Sequence, residues 1–81
     1  MDGQELRDRY FKTLLEKIDE TNFPSNELLS RVEATVTTPD ELAEYGELLV
    51  KKVEETRFPS SELLARAENV VAQLAAASER E

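Results

Sequence analysis

Serine and threonine hydroxyls are the groups in this chain that could act as nucleophiles, and they need a neighbouring base to do so. The chain contains no histidine, so a Ser/His/Asp arrangement is excluded. Lys17 and Lys52 are the alternative bases, but no pattern in the sequence places either lysine beside a serine. We therefore expect no nucleophilic catalysis.

Paired carboxylates are the second candidate, because two carboxyl groups can divide the roles of general acid and general base. The sequence has such pairs at Asp19-Glu20 and Glu54-Glu55. Side chains that are adjacent in a helix do not face each other, and acidic runs on amphipathic helices are usually solvated surface. We interpret both pairs as surface charge and predict that the protein is not an enzyme.

Metal and cofactor sites lack their usual ligands in this sequence. The absence of cysteine and histidine removes thiolate and imidazole ligands. The chain has neither the acidic loop of an EF-hand nor the Glu-x-x-His pairs of a di-metal bundle. Two isolated glycines, Gly3 and Gly46, cannot form a phosphate-binding loop. We predict no metal and no cofactor, and the sequence identifies no small-molecule substrate.

Length and charge restrict the choice of partner. The 81 residues fit one small domain, and 18 acidic against 10 basic residues give a net charge of −8. This charge repels nucleic acids and anionic membranes. No apolar run approaches the ~20 residues that cross a bilayer, and the first residues are charged. We expect a cytoplasmic protein that binds neither nucleic acid nor membrane.

Four helices must position any functional residue, since capping signals and prolines divide the chain into four helical segments. Asp2 and Ser25 are suited to cap the first two helices. Thr38-Pro39-Asp40-Glu41 combines a cap, a proline at the first helical position and a capping-box glutamate for the third. Ser60 or Ser61 begins the fourth. The sequence predicts an all-α fold.

Apolar residues recur with helical period in each segment and predict the faces that turn inward. On the long first and third helices the apolar arc covers about half the circumference, which is wider than the roughly 100° that a surface helix buries. The predicted inward residues are Leu6, Tyr10, Leu14 and Ile18 in the first helix, Leu28, Leu29, Val32, Thr35 and Val36 in the second, Leu42, Tyr45, Leu49 and Val53 in the third, and Leu63, Leu64, Ala67, Val70, Val71 and Leu74 in the fourth.

An internal repeat with an offset of thirty-five residues organises these helices. Residues 14–33 and 49–68 are identical at twelve of twenty aligned positions. A repeat of this length marks a supersecondary unit that buries its apolar face on a neighbouring copy. We predict one domain over residues 1–81, made of a helical hairpin at 3–36 and its duplicate at 39–77. The two hairpins are expected to close into a four-helix bundle about a pseudo-two-fold axis.

Both hairpins are predicted to turn at the same sequence, Phe-Pro-Ser. The proline should end the first helix of each hairpin, and the serine should satisfy free N–H groups of the next helix. The phenylalanine is then placed to close the end of the hairpin core. These structural corners are Phe23, Pro24, Ser25, Phe58, Pro59 and Ser60.

One position breaks the repeat, because Gly46 stands where the first hairpin has Phe11. Glycine inside a helix costs ~1 kcal/mol relative to alanine. If equivalent positions meet near the two-fold axis, the missing side chain makes room for the Phe11 ring. The alternative is that Gly46 is a tolerated surface glycine.

Because the sequence predicts neither catalysis nor a metal or cofactor site, it favours a small protein-protein interaction module. Its partner is another protein or a second copy of this chain. Some apolar side chains exceed what four short helices cover, and Leu15 and Val50 in particular occupy equivalent places in the repeats, as a homodimer contact would. The alternative function is an acidic nucleic-acid mimic that occupies a basic surface of its partner. The candidate interface residues are Phe11, Leu15, Leu29, Leu48, Val50 and Leu64.

Overall fold

The computed structural model describes residues 2–79, the side chain of Glu79 excepted, and these residues form four α-helices and no strand. The all-α prediction is confirmed. Met1, Arg80 and Glu81, the ends of the predicted 1–81 domain, lie outside the described residues. The helices are α1 (Gly3–Glu20), α2 (Asn26–Thr35), α3 (Pro39–Glu55) and α4 (Ser61–Glu79).

The N-terminal caps lie where the sequence predicts them. The Asp2 carboxylate accepts from the backbone N–H of Glu5 at 2.8 Å. The hydroxyls of Ser25, Thr38 and Ser60 each accept from the N–H three residues later at 3.1 Å. Each bond satisfies an N–H that has no partner within its helix, so local sequence sets where all four helices begin.

The predicted capping box at α3 differs in one contact. Pro39 occupies the first helical turn as expected. The carboxylate of Glu41, however, accepts from the backbone N–H of Thr37 at 2.9 Å and from its hydroxyl at 3.1 Å. Glu41 therefore holds Thr37, the residue before the cap. The capping hydrogen bonds thus include the segment that connects α2 to α3.

The two corners have the same construction. At the end of α1 the hydroxyl of Thr21 donates to the Lys17 carbonyl at 2.7 Å, and at the end of α3 that of Thr56 donates to Lys52 at 2.6 Å. The proline and the capping serine follow in both. In both corners the threonine hydroxyl thus satisfies a backbone carbonyl group in the last turn of the helix. The proline three residues later prevents the helix from continuing.

The chain divides into two compact units with a boundary between Val36 and Thr37. In the first unit α1 packs on α2, and Leu14, Ile18, Leu29 and Val32 are buried. The guanidinium of Arg7 also donates to the Thr35 carbonyl at 2.7 Å. Because a cation near a helix C-terminus is favourable, this bond holds the end of α2 to α1.

In the second unit α3 packs on α4, with Tyr45, Leu49, Leu63 and Val70 buried. A Cβ atom at Gly46 would lie 3.0 Å from Cγ1 of Val70 and 3.1 Å from Cδ1 of Leu74. Favourable carbon contacts need ≈ 3.5–4.0 Å. Gly46 is buried, so the expectation of a surface glycine is wrong, and the side chains for which it makes room belong to α4 of its own unit.

Leu6 and Tyr10, predicted to face inward, are each about half exposed. The physical reason is that both residues lie at the edge of the α1–α2 contact. Tyr10 lies beside the exposed guanidinium of Arg31 on α2, and Leu6 precedes Arg7, which already bonds the last residue of α2. The repeat therefore does not give equal environments, because Tyr45, the equivalent of Tyr10, is fully buried.

The corner phenylalanines do not close the hairpin cores. Phe23 is 79% exposed and Phe58 is 82% exposed, so this part of the prediction is wrong. Pro24 and Pro59 are half-buried instead. The proline rings are thus the part of each corner that is turned toward protein, and the preceding phenyl rings lie in solvent.

Candidate functional site

An apolar surface of the second unit lies on the face shared by α3 and α4. Val50 on α3 is 39% exposed and Val71 on α4 is 47% exposed. Both valines line two adjacent open grooves, one of about 570 Å³ and one of about 240 Å³. We call this surface, with both grooves and the two valines between them, the α3–α4 face.

The larger groove owes its shape to small residues at helical spacing. Its α3 wall contains Ala43, Gly46 and Val50, which lie three, four and seven residues apart and therefore on one side of the helix. Its α4 wall contains Leu74 and Ala77. Since alanine leaves space that a larger side chain would fill, Ala43 and Ala77 keep the groove open toward solvent, while the missing side chain of Gly46 lets Leu74 pack against α3.

The smaller groove adjoins the larger one at Val50 and Val71. Val53 contributes from α3, and Leu64 and Ala67 contribute from α4. Of the six candidate interface residues, the structure thus brings Val50 and Leu64 together in one groove.

The charged residues that line the two grooves of the α3–α4 face are all acidic. Glu47 lines the larger groove, and Glu54 and Glu68 line the smaller one. No lysine or arginine of the described part of the chain lines either groove. The α3–α4 face therefore presents apolar floors with acidic edges.

The other candidate interface residues have different environments. Phe11 is 2% exposed and Leu29 is 1% exposed, so the expectation that these side chains stay uncovered is wrong. Both belong to the core of the chain. Leu15 and Leu48 are half-buried, and neither lines the two grooves of the α3–α4 face.

Sequence reasoning missed two residues of the second unit. The sequence predicts that both Val70 and Val71 face inward, but only Val70 is buried, so the prediction for Val71 is wrong. Lys52 is the one charged residue buried within residues 2–79; its Nζ lies 3.6 Å from the Glu55 carboxylate. The signal for Lys52 was its place three residues after buried Leu49, on the same side of α3.

The exposed corner rings are the second apolar feature of the surface. At the second corner the guanidinium carbon of Arg57 lies 5.5 Å from the centroid of the Phe58 ring, within the range of a cation–π contact. The equivalent neighbour of Phe23 is Asn22. The two rings are thus equally exposed but have different polar neighbours.

Arg31 and Glu27 form an ion pair typical of a helix surface. Arg31 donates to Glu27 at 2.8 Å across one helical turn. The hydrogen bond and the charge of Glu27 together raise the pKa of the Arg31 guanidinium. Exposed pairs of this kind add little stability.

The part of the chain that the structure describes contains neither a metal-binding cluster nor a helix that could span a membrane. No group of three or more acidic residues, the ligands that this chain offers, is arranged to hold a metal ion within residues 2–79. None of the helices there has the length and apolar composition that crossing a membrane requires.

Comparison with known proteins finds no relative of this chain. No family model, curated protein or solved structure matches the chain. The function must therefore be argued from the residues themselves.

Proposed function

We propose that this chain is a small non-catalytic protein-interaction module and that the α3–α4 face is its binding surface. The observation that carries the proposal is the pair of adjacent apolar grooves that share the exposed Val50 and Val71. Apolar patches bordered by polar residues are typical of docking surfaces.

The experiment compares partner capture by the full-length chain and by a Val50→Ser/Val71→Ser variant in extracts of the source cells. Serine at these exposed positions removes apolar contact and leaves the cores intact, so circular dichroism should be unchanged. A Leu6→Ser variant is the matched control, because Leu6 is a similarly exposed apolar residue in the first unit. We expect the control to retain the partner and the double variant to lose it.

Retention of the same partner by the Val50→Ser/Val71→Ser chain would exclude the α3–α4 face as the binding surface. Loss of the partner by the Leu6→Ser control as well would point instead to a surface that includes the first unit.

The acidic composition supports a second candidate, an acidic nucleic-acid mimic that occupies a basic surface of its partner. Its support is the net charge of −8 and the glutamates beside both grooves. Salt distinguishes the two functions, because charge-based binding weakens steeply as ionic strength rises whereas apolar docking does not. Binding that persists in high salt, and is lost on the double valine substitution, supports the interaction module.

A second copy of the chain is the other partner that the sequence suggested, through Leu15 and Val50. Val50 is exposed as that idea requires, but two copies joined at the α3–α4 face would bring their acidic edges together. Light scattering at micromolar concentration tests this partner. A dimer mass that falls to a monomer mass when Leu15 and Val50 are made polar supports a homodimer.

We further propose that the two units close into a four-helix bundle about an approximate two-fold axis. The support is the internal repeat, the equal construction of the two corners and the burial of both Leu14 and Leu49, which are equivalent in the repeat. Small-angle scattering tests this arrangement, since a compact domain of this length has a radius of gyration of about 12 Å. A clearly larger value would mean that the units are separated in solution.

A further inference from the structure

We propose that the α3–α4 face binds an amphipathic helix with basic flanks and with two apolar anchor residues seven positions apart. The inference rests on the proposed function, because it takes this face to be the binding surface. It adds the chemistry and the spacing of the partner.

The spacing follows from the positions of the two grooves along α3. The α3 residues of the larger groove extend from Pro39 to Val50, and those of the smaller groove from Val50 to Glu54. Their centres are thus about seven residues apart, which is ~10 Å along a helix. In a ligand helix that lies along this face, residues i and i+7 are separated by the same ~10 Å. Each of these two residues can therefore enter one groove.

The groove sizes indicate what each anchor can be. The larger groove has about 570 Å³ and the smaller about 240 Å³, so each accommodates one apolar side chain and the larger groove is suited to the bulkier anchor. Val50 and Val71 stand between the grooves and would contact the ligand helix between its anchors. This arrangement corresponds to the helix-in-groove mode of peptide recognition.

The sign of the flanking charge follows from Glu47, Glu54 and Glu68. Each groove has at least one of these carboxylates at its edge, and Glu47 and Glu54 are themselves seven residues apart on one side of α3. Lysine or arginine next to each anchor would therefore meet a carboxylate at both grooves. Complementary charge of this kind favours basic partners and disfavours acidic ones, a second copy of this chain with its charge of −8 among them.

The test uses synthetic peptides of about 18 residues, a length that matches α3. The first peptide has leucines at i and i+7, lysines beside them and alanines elsewhere. The second has the same composition with its leucines at i and i+4, and the third has every lysine replaced by glutamate. Fluorescence anisotropy with the labelled peptides gives the affinity of each for the full-length chain.

We expect the first peptide to bind at least about tenfold more tightly than either of the others, a ratio that corresponds to ~1.4 kcal/mol of binding free energy. The Val50→Ser/Val71→Ser chain should lose a similar factor for the first peptide only. The Leu6→Ser chain should bind all three as the wild type does.

Equal affinity for the two lysine peptides would overturn the inference, since the contact would then be charge alone. Equal affinity for the lysine and glutamate peptides would also overturn it, while leaving an apolar docking site in place. If no peptide binds, the inference fails, and the partner-capture experiment with the double valine variant decides separately whether the proposed function survives.

Discussion

The backbone of Gly46 on α3 lies directly against the side chain of Val70 on α4. A Cβ atom at Gly46 would come within 3.0 Å of Val70 Cγ1, closer than carbon atoms pack favourably. Val70 is buried and β-branched, so it has little freedom to move aside. The glycine therefore sets how closely the two helices of the second unit approach.

A larger side chain at position 46 should destabilise the fold. We expect Gly46→Leu to lower the free energy of unfolding by about 1–3 kcal/mol through overpacking. Urea denaturation followed by circular dichroism measures the change. Gly3→Leu is the control, because a Cβ at Gly3 has no neighbour within 4 Å. Equal stability of the Gly46→Leu protein and the wild type would show that α4 is not pressed against Gly46 in solution.

The corner phenylalanines should contribute little to stability. Because both rings are exposed, we expect Phe23→Ala and Phe58→Ala to change the free energy of unfolding by no more than about 0.5 kcal/mol. Ile18→Ala, at a fully buried position, should cost about 2–5 kcal/mol. Thermal and urea denaturation of the three variants provide the comparison. A loss comparable to that of Ile18→Ala would mean that the rings are buried in solution.

Removal of the serine caps should destabilise the helices that follow the corners. Ser25→Ala and Ser60→Ala each remove an acceptor for an N–H three residues later, at an expected cost of about 0.5–2 kcal/mol. Ser61→Ala is the control, since Ser61 is exposed and lies inside α4. Ser→Asn variants should restore most of the stability, because asparagine caps equally well; failure of this rescue would argue against a capping role.

Arg7 should stabilise the first unit through the end of α2. Its guanidinium donates to the Thr35 carbonyl, and hydrogen bonds to charged groups contribute ≈ 1.5–3 kcal/mol. We expect Arg7→Met to lower stability by the smaller part of that range, because the side chain is partly exposed. Arg9→Met, at an exposed position of the same helix, should have almost no effect. Similar melting temperatures for the two variants would count against the bond to Thr35.

Short-range signals in the sequence determined the four helices and their ends. Asp2, Ser25, Thr38 and Ser60 cap the helices as predicted, and Pro24 and Pro59 follow their ends. A cap or a proline acts on backbone groups within a few residues, so its effect can be derived without knowledge of distant contacts. The absence of histidine and cysteine likewise limited the chemistry before any coordinates were considered.

Tertiary structure alone decided which apolar residues are buried and which form the α3–α4 face. Tyr10 and Tyr45 occupy equivalent places in the repeat, yet one is half exposed and the other fully buried. Val70 and Val71 are adjacent in sequence, and the packing of α4 on α3 places only Val70 in the core. Burial depends on which side of a helix its neighbour covers, and the helical period of one segment does not contain this information. Phe23 and Phe58 are a further example, since both rings lie in solvent. Their hydrophobic character alone does not show which side of the corner faces the protein.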